Sequence, residues 1–149
     1  MSILSNSCKY GIRAVIYLAL NDDDGRKIGI KKISHDLDIP MPFLGKILQN
    51  LARNKILVST KGPHGGFGLN KKPEEISMLD IIEVIDGLDL FNECLIGLKS
   101  CSKKDKNSTP CPTNRKFKPI ADQMYEFFKN ETIGNLKNEV EESGGTVGI

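Results

Sequence analysis

Apolar residues in the stretch 33–51 recur at helical spacing. Ile33 and Leu37 mark a short helix. Leu44, Ile47, Leu48 and Leu51 form one stripe of a second, whose other faces carry Met41, Gly45, Lys46, Gln49, Asn50 and Arg53. Asp38-Ile39-Pro40 separates the two, because the residue before a proline is pushed out of helical geometry. Ile56 to Thr60 then has strand composition, Gly62-Pro63-His64-Gly65-Gly66 predicts a turn, and Phe67 to Leu69 returns as a second strand. Two short helices joined by a turn and followed by a hairpin predict a winged helix-turn-helix.

The flanking pattern is helical. Tyr10, Ala14, Tyr17 and Leu18 share a face, predicting a helix capped by Ser7 or Asn6 that runs to about Leu20 and packs beneath the recognition unit. Ile28 to Ile30 is expected as a short strand pairing with the wing. Ile76, Leu79, Ile82, Val84 and Ile85 predict a helix capped by Ser77 and ending near Gly87, after which Leu88 to Phe91 lead the chain away from the core. Phe117, Ile120, Ala121, Met124, Phe127 and Phe128 give a continuous apolar edge to a helix from about Asn114 to Asn130. A lone helix with such an edge, set off by a loop, needs a partner. Thr132 to Leu136 predicts a last short helix, and Glu141 to Ile149 a frayed tail. The fold class is mainly α with a small β wing. A winged helix-turn-helix unit spans 1–87, a cysteine-containing loop 88–113, the long helix and a short C-terminal one 114–138, and a flexible tail 139–149.

Charge adds a partner. The 149 residues suit one compact domain plus an arm, and the net charge of +2 is uneven: residues 1–80 hold 12 basic and 8 acidic side chains, residues 81–149 hold 9 and 11. From Ile39 to Pro73 there are six cations (Lys46, Arg53, Lys55, Lys61, Lys71, Lys72) and no acid. Such a window fits a phosphate-facing surface, since each neutralised phosphate releases counterions. Charge alone fits a solvated face equally well; joined to the helix spacing and the wing it favours double-stranded DNA. The recognition helix would enter the major groove by its first turn. Its candidate contacts are Met41, Pro42, Phe43, Gly45, Lys46 and Gln49, with Lys46 and Gln49 as hydrogen-bond donors and Phe43 either a contact or core. On the wing the candidates are Lys61, Gly62, His64 and Gly65, where glycine allows tight turning and close approach to phosphate. His35 beside Asp36 reads as a solvated polar residue.

Three cysteines, Cys94, Cys101 and Cys111, fall within 18 residues of a polar loop in a chain with four. Thiolates select zinc or iron-sulfur centres, and the alternative is a metal-free linker with reactive thiols. The apolar run Val15 to Leu20 is short, lies downstream of Lys9 and Arg13 and has no cleavage site after it. No stretch approaches a membrane span, so a cytoplasmic protein with reduced cysteines is expected. No nucleotide-binding glycine loop or nucleophile-base constellation is present, so no enzymatic activity is expected.

Cys8-Lys9-Tyr10-Gly11-Ile12-Arg13-Ala14 with Tyr17-Leu18-Ala19, Phe43-Leu44 with Lys46-Ile47-Leu48, Lys61-Gly62-Pro63 with Gly65-Gly66-Phe67, and Ile76-Ser77 with Asp80-Ile81-Ile82 together resemble the Rrf-two family of bacterial winged-helix transcription regulators, of the IscR, NsrR and CymR type. The resemblance runs from about Ser5 to Val140. It implies a homodimer joined through the long C-terminal helix, on a roughly palindromic DNA site. It also implies an iron-sulfur cluster, of 2Fe-2S type, held by Cys94, Cys101 and Cys111, with redox, nitric oxide or iron status as the signal. Three departures stand out. Gly45 replaces a glutamate common in relatives, the gap from Cys101 to Cys111 is long, and Asn114 falls where one branch has a ligating histidine. A fourth ligand is therefore missing, with Cys8 and Asn114 as candidates; Cys8 alternatively reads as a small buried helix residue. Two other readings stay open: a cluster-free regulator controlled by a partner protein or small molecule, and a metal-binding scaffold without a DNA role.

Overall fold

A computed structural model describes residues 2–97, 111–144 and 149. Its first helix, α1 (Asn6–Leu20), is the element around which the others pack. Ala14 to Ala19 are all buried, so the second half of α1 is apolar on every side and touches neighbours all round. Its cap is Ser5 rather than the expected Ser7 or Asn6: the Ser5 hydroxyl accepts the Cys8 N–H at 3.0 Å, while Ser5 N–H and hydroxyl both donate to the Asp86 carboxylate.

The helix-turn-helix consists of α2 (Ile30–Leu37) and α3 (Met41–Arg53). Asp38 closes α2 in the left-handed region (φ 52°), a conformation that Asp tolerates better than most residues, and Pro40 then sets the entry to α3. Ser34 Oγ donates to the Ile39 carbonyl at 2.6 Å, fastening the turn. Leu44, Ile47, Leu48 and Leu51 bury the predicted stripe against α1 and against α4 (Met78–Ile85). Ser77 caps α4 as expected, its hydroxyl accepting from Asp80 N–H while the Asp80 carboxylate accepts from Ser77 N–H.

The wing is β1 (Leu57–Thr60) antiparallel to β2 (Gly66–Leu69), with Leu57 opposite Leu69 and Thr60 opposite Gly66. No third strand forms at 28–30: Ile28 makes a single bridge to Phe67, and Gly29 is already the N-cap of α2.

The C-terminal part departs further from expectation. Phe91 does not leave the core. It sits in α5 (Asp89–Asn92), buried, with its ring edge-on to Tyr125 at 5.5 Å and to Phe128 at 6.1 Å. These partners belong to α6 (Pro112–Asn130), which packs on α4 and α5. The apolar edge of α6 therefore divides. Ala121 and Phe128 are buried against the chain's own core, whereas Ile120 (53% exposed) and Phe127 (58%) face outward. The last helix, α7 (Ile133–Glu142), is capped by Thr132 and lies on α1 and the 3-10 turn Pro73–Glu75. It runs through part of the segment expected as a tail over 139–149, because Ile133 and Gly134 are buried and anchor its first turn.

A polar cluster ties α1 to the helix-turn-helix. The Tyr17 hydroxyl donates to Asp36 at 2.5 Å, Lys32 Nζ to the same carboxylate at 2.9 Å, His35 Nδ1 lies 3.1 Å from its other oxygen, and Arg13 Nη2 donates to the Leu37 carbonyl at 2.9 Å. The Tyr17 hydrogen bond, followed by Lys32 and His35, holds the Asp36 carboxyl well below the usual carboxylate range. A depressed folded-state pKa contributes stability that is fully present above the unfolded value, about 3.9, and lost as pH falls toward the folded one. Asp36→Asn is thus expected to lower the melting temperature at neutral pH and to flatten its decline below about pH 5; two parallel melting profiles between pH 7 and 3 would contradict this.

Candidate nucleic-acid interface

The side of α3 opposite the buried stripe is open. Met41 (42% exposed), Pro42, Phe43 (60% exposed), Lys46 and Gln49 reach solvent, and Gly45 is half-buried. Pro42 sits in the first turn of α3, where its missing N–H costs nothing. Phe43, ambiguous in sequence, is on the surface, since Leu44 and Ile47 take the core-facing positions. Met41, Pro42, Gly45, Lys46, Gln49 and Arg53 line one hollow together with Ile30 of α2.

A second hollow joins α3 to the wing: Gln49 shares it with Lys31, Thr60, Lys61, Gly62, Pro63 and Gly65. The wing tip is shaped by close approach. Gly65 N–H donates to the Gly62 carbonyl at 2.9 Å, and a Cβ on Gly65 would lie 2.2 Å from the Thr60 carbonyl oxygen. Gly62 has φ +105°, which favours glycine, with open space around it. His64 is exposed beside Arg26 and Lys27.

The fold sorts the basic window. Lys46, Arg53 and Lys61 border the two hollows of the α3 and wing face, whereas Lys71 lies with Asp80 and Glu83 at another hollow. Arg53 and Lys31, not among the contacts expected from the sequence, also border this face. Arg53 was readable, one turn beyond Gln49. Lys31 directly follows the segment 28–30 expected to pair with the wing, and the fold brings it to the hollow between α3 and the wing.

The cysteines divide as well. Cys8 is fully buried in α1, and burial foremost, then Asp86, pushes its thiol up to about 12. It is a core residue. Cys94 is half-buried just after α5, and Cys111 is buried as the N-cap of α6. Cys101 lies outside the described residues, among which no group of three His, Cys, Asp or Glu side chains gathers at metal-binding distance. The donor chemistry of two loop thiols fits a thiolate-held group.

A basic face built from an exposed recognition helix and a hairpin wing defines a winged helix-turn-helix DNA-binding protein. The profile of the Rrf-two (Rrf2) family, described as an iron-dependent transcriptional regulator, matches residues 4–139, and the chain belongs to this family. It is a transcriptional regulator. A protein of Aquifex aeolicus (strain VF5) named as an HTH-type transcriptional regulator is 37% identical over 136 residues, covering 91% of this chain and 92% of its own. The HTH-type transcriptional regulator IscR of Cronobacter sakazakii (strain ATCC BAA-894) is 28% identical over 138 residues, covering 93% and 82%. Among solved structures, CymR, the global cysteine regulator of B. subtilis, superposes with TM-score 0.74 at 21% identity, over 93% of this chain and 98% of that one. No helix among the described residues is long and apolar enough to cross a membrane.

Proposed function

We propose that this regulator binds a roughly palindromic operator as a homodimer and that a 2Fe-2S cluster on Cys94, Cys101 and Cys111 sets its affinity. The observation that carries the reading is the seating of the cysteine segment. Cys111 caps the N-terminus of α6, and Cys94 follows α5, whose Phe91 is wedged against Tyr125 and Phe128 farther along α6. Cys111 at the start of α6, and Cys94 by way of α5, are thus both seated against the same helix. The family description, which names iron, supports the same reading.

When bound, such a cluster supplies iron-thiolate bonds sensitive to redox state and nitric oxide. Cys94, Cys101 and Cys111 would hold it, and Phe91, close behind Cys94, would couple that end of the ligand set to α6 through Tyr125 and Phe128. Ile120 and Phe127, with Phe117 on the same stripe, meet the second copy. Two-fold symmetry then sets two α3 helices about 34 Å apart. Lys46 and Gln49 hydrogen-bond base edges, Met41, Pro42, Phe43 and Gly45 line the groove contact, and Lys61, Gly62, His64 and Gly65 follow the backbone beside it. The burial of Cys8 in α1 argues against it as a fourth ligand across the dimer and favours Asn114, in the first turn of α6 near Cys111.

Anaerobically purified protein is expected to be brown, with iron and sulfide that disappear in Cys94→Ala, Cys101→Ala and Cys111→Ala. A colourless protein without iron or sulfide after reconstitution would overturn the cluster. The missing fourth ligand favours a second reading, a cluster-free regulator of the same family. In that case Cys94→Ala leaves operator affinity and its signal response unchanged.

A further inference from the structure

The geometry points to a second DNA contact: Arg26 and Lys27, in the loop between α1 and α2, grip the phosphate backbone of the duplex beyond the wing. This inference rests on the DNA-binding reading and extends its footprint.

The loop is part of the wing assembly. Ile28 N–H donates to the Phe67 carbonyl at 2.9 Å, and Phe67 N–H returns to the Ile28 carbonyl at 2.8 Å, so the residue after Lys27 is pinned to β2. Lys27 also crosses β2 where that strand has no side chain: a Cβ on Gly68 would meet Lys27 Cδ at 3.0 Å and Nζ at 3.1 Å. Arg26 and Lys27 share a hollow with Pro63, His64 and Gly65 of the wing tip. That hollow adjoins the one between α3 and the wing, the two sharing Gly29, Pro63 and Gly65. Lys31 and Lys61 border one of these adjoining hollows, and Arg26 and Lys27 border the other.

Both charges are available. Three aspartates, Asp22 to Asp24, precede them, yet neither Arg26 nor Lys27 forms an ion pair among the described residues. Among the described residues, the side-chain hydrogen bond from Lys27 goes to a neutral acceptor, the Gly25 carbonyl, at 3.3 Å. A pair of cations without an ion-pair partner among the described residues, on a loop held by backbone hydrogen bonds to a DNA-binding hairpin, complements the sugar-phosphate backbone and not the base edges.

The test is the salt dependence of binding to a mixed-sequence duplex several helical turns long. The protein would be compared with an Arg26→Gln, Lys27→Met double variant, which keeps both stems, and with Arg26→Lys, Lys27→Arg, which keeps both charges. Two lost phosphate contacts lower the slope of log affinity against log salt by about 1.8, so the neutral variant's loss of affinity between about 50 and 200 mM salt shrinks roughly tenfold relative to the unaltered protein. The charge-conserving variant is expected to keep the original slope. A neutral variant with the original slope would overturn the loop contact while leaving α3 and the wing as the interface. An unaltered protein with no salt-dependent duplex binding would overturn the DNA-binding reading itself, and the loop contact with it.

Discussion

Alanine at position 66 is expected to cost ten- to a hundredfold in DNA affinity while the helical core stays folded, from local strain of about 1–3 kcal/mol. Gly66 opens β2 with φ +148°, inside the region that disfavours side chains. A Cβ there would lie 2.3 Å from the Ile28 carbonyl oxygen, 2.4 Å from its carbon and 2.8 Å from Gly29 N. These are backbone atoms, so no rotamer change relieves the clash. The hairpin must separate from residues 28–29, breaking the paired hydrogen bonds between Ile28 and Phe67 and releasing the wing from the start of α2. The lysines on either side of that junction, Lys31 and Lys61, then no longer share one face. Gly87→Ala, at φ +78° and outside the hollows of the α3 and wing face, is the matched control. It imposes similar backbone strain in open space, and its effect is expected to be smaller. Duplex binding isotherms with far-UV circular dichroism would check both, and unchanged affinity in Gly66→Ala would contradict the account.

Leu48→Ala is expected to be the most destabilising of the recognition-helix substitutions, by about 3–5 kcal/mol, because it opens a cavity that cannot collapse. Leu48 is completely buried on the stripe of α3 that faces α1 and α4, with Leu44 and Leu51 above and below it. For a chain of this size the loss corresponds to a melting temperature lower by roughly 10 °C. Phe43→Ala, five positions earlier on the same helix, is expected to change stability by no more than about 0.5 kcal/mol, because Phe43 is 60% exposed. Any loss of DNA binding in Phe43→Ala would therefore report a contact rather than a weakened core. Thermal unfolding of the two variants side by side separates the two kinds of residue; equal losses would show that Phe43 is a packing residue after all.

How much was legible in the sequence differs along the chain. The helix-turn-helix and wing could be read because each signal is local. The Leu44, Ile47, Leu48, Leu51 spacing defines a buried stripe, Asp38 and Pro40 end one helix and start the next, and the glycines at 62, 65 and 66 leave the backbone no alternative to a tight turn. The Ser77 and Asp80 capping pair is local too.

What remained hidden depended on which surfaces meet. A 3.6-residue period shows that α6 has an apolar edge, but not that Ala121 and Phe128 turn inward while Ile120 and Phe127 stay outside; Phe91, arriving from a distant segment, decides that division. Nor does a linear run of lysines reveal that Lys61 and Lys71 border different hollows, or that Arg26 and Lys27 share a hollow with the wing tip. The sequence by itself determined the elements, the apolar stripes and the turn chemistry, because these follow from backbone geometry within a few residues. Only the tertiary structure decided which cations share a face, which half of the α6 edge is left uncovered and that Cys8 is core, because those are set by contacts between segments far apart in the chain.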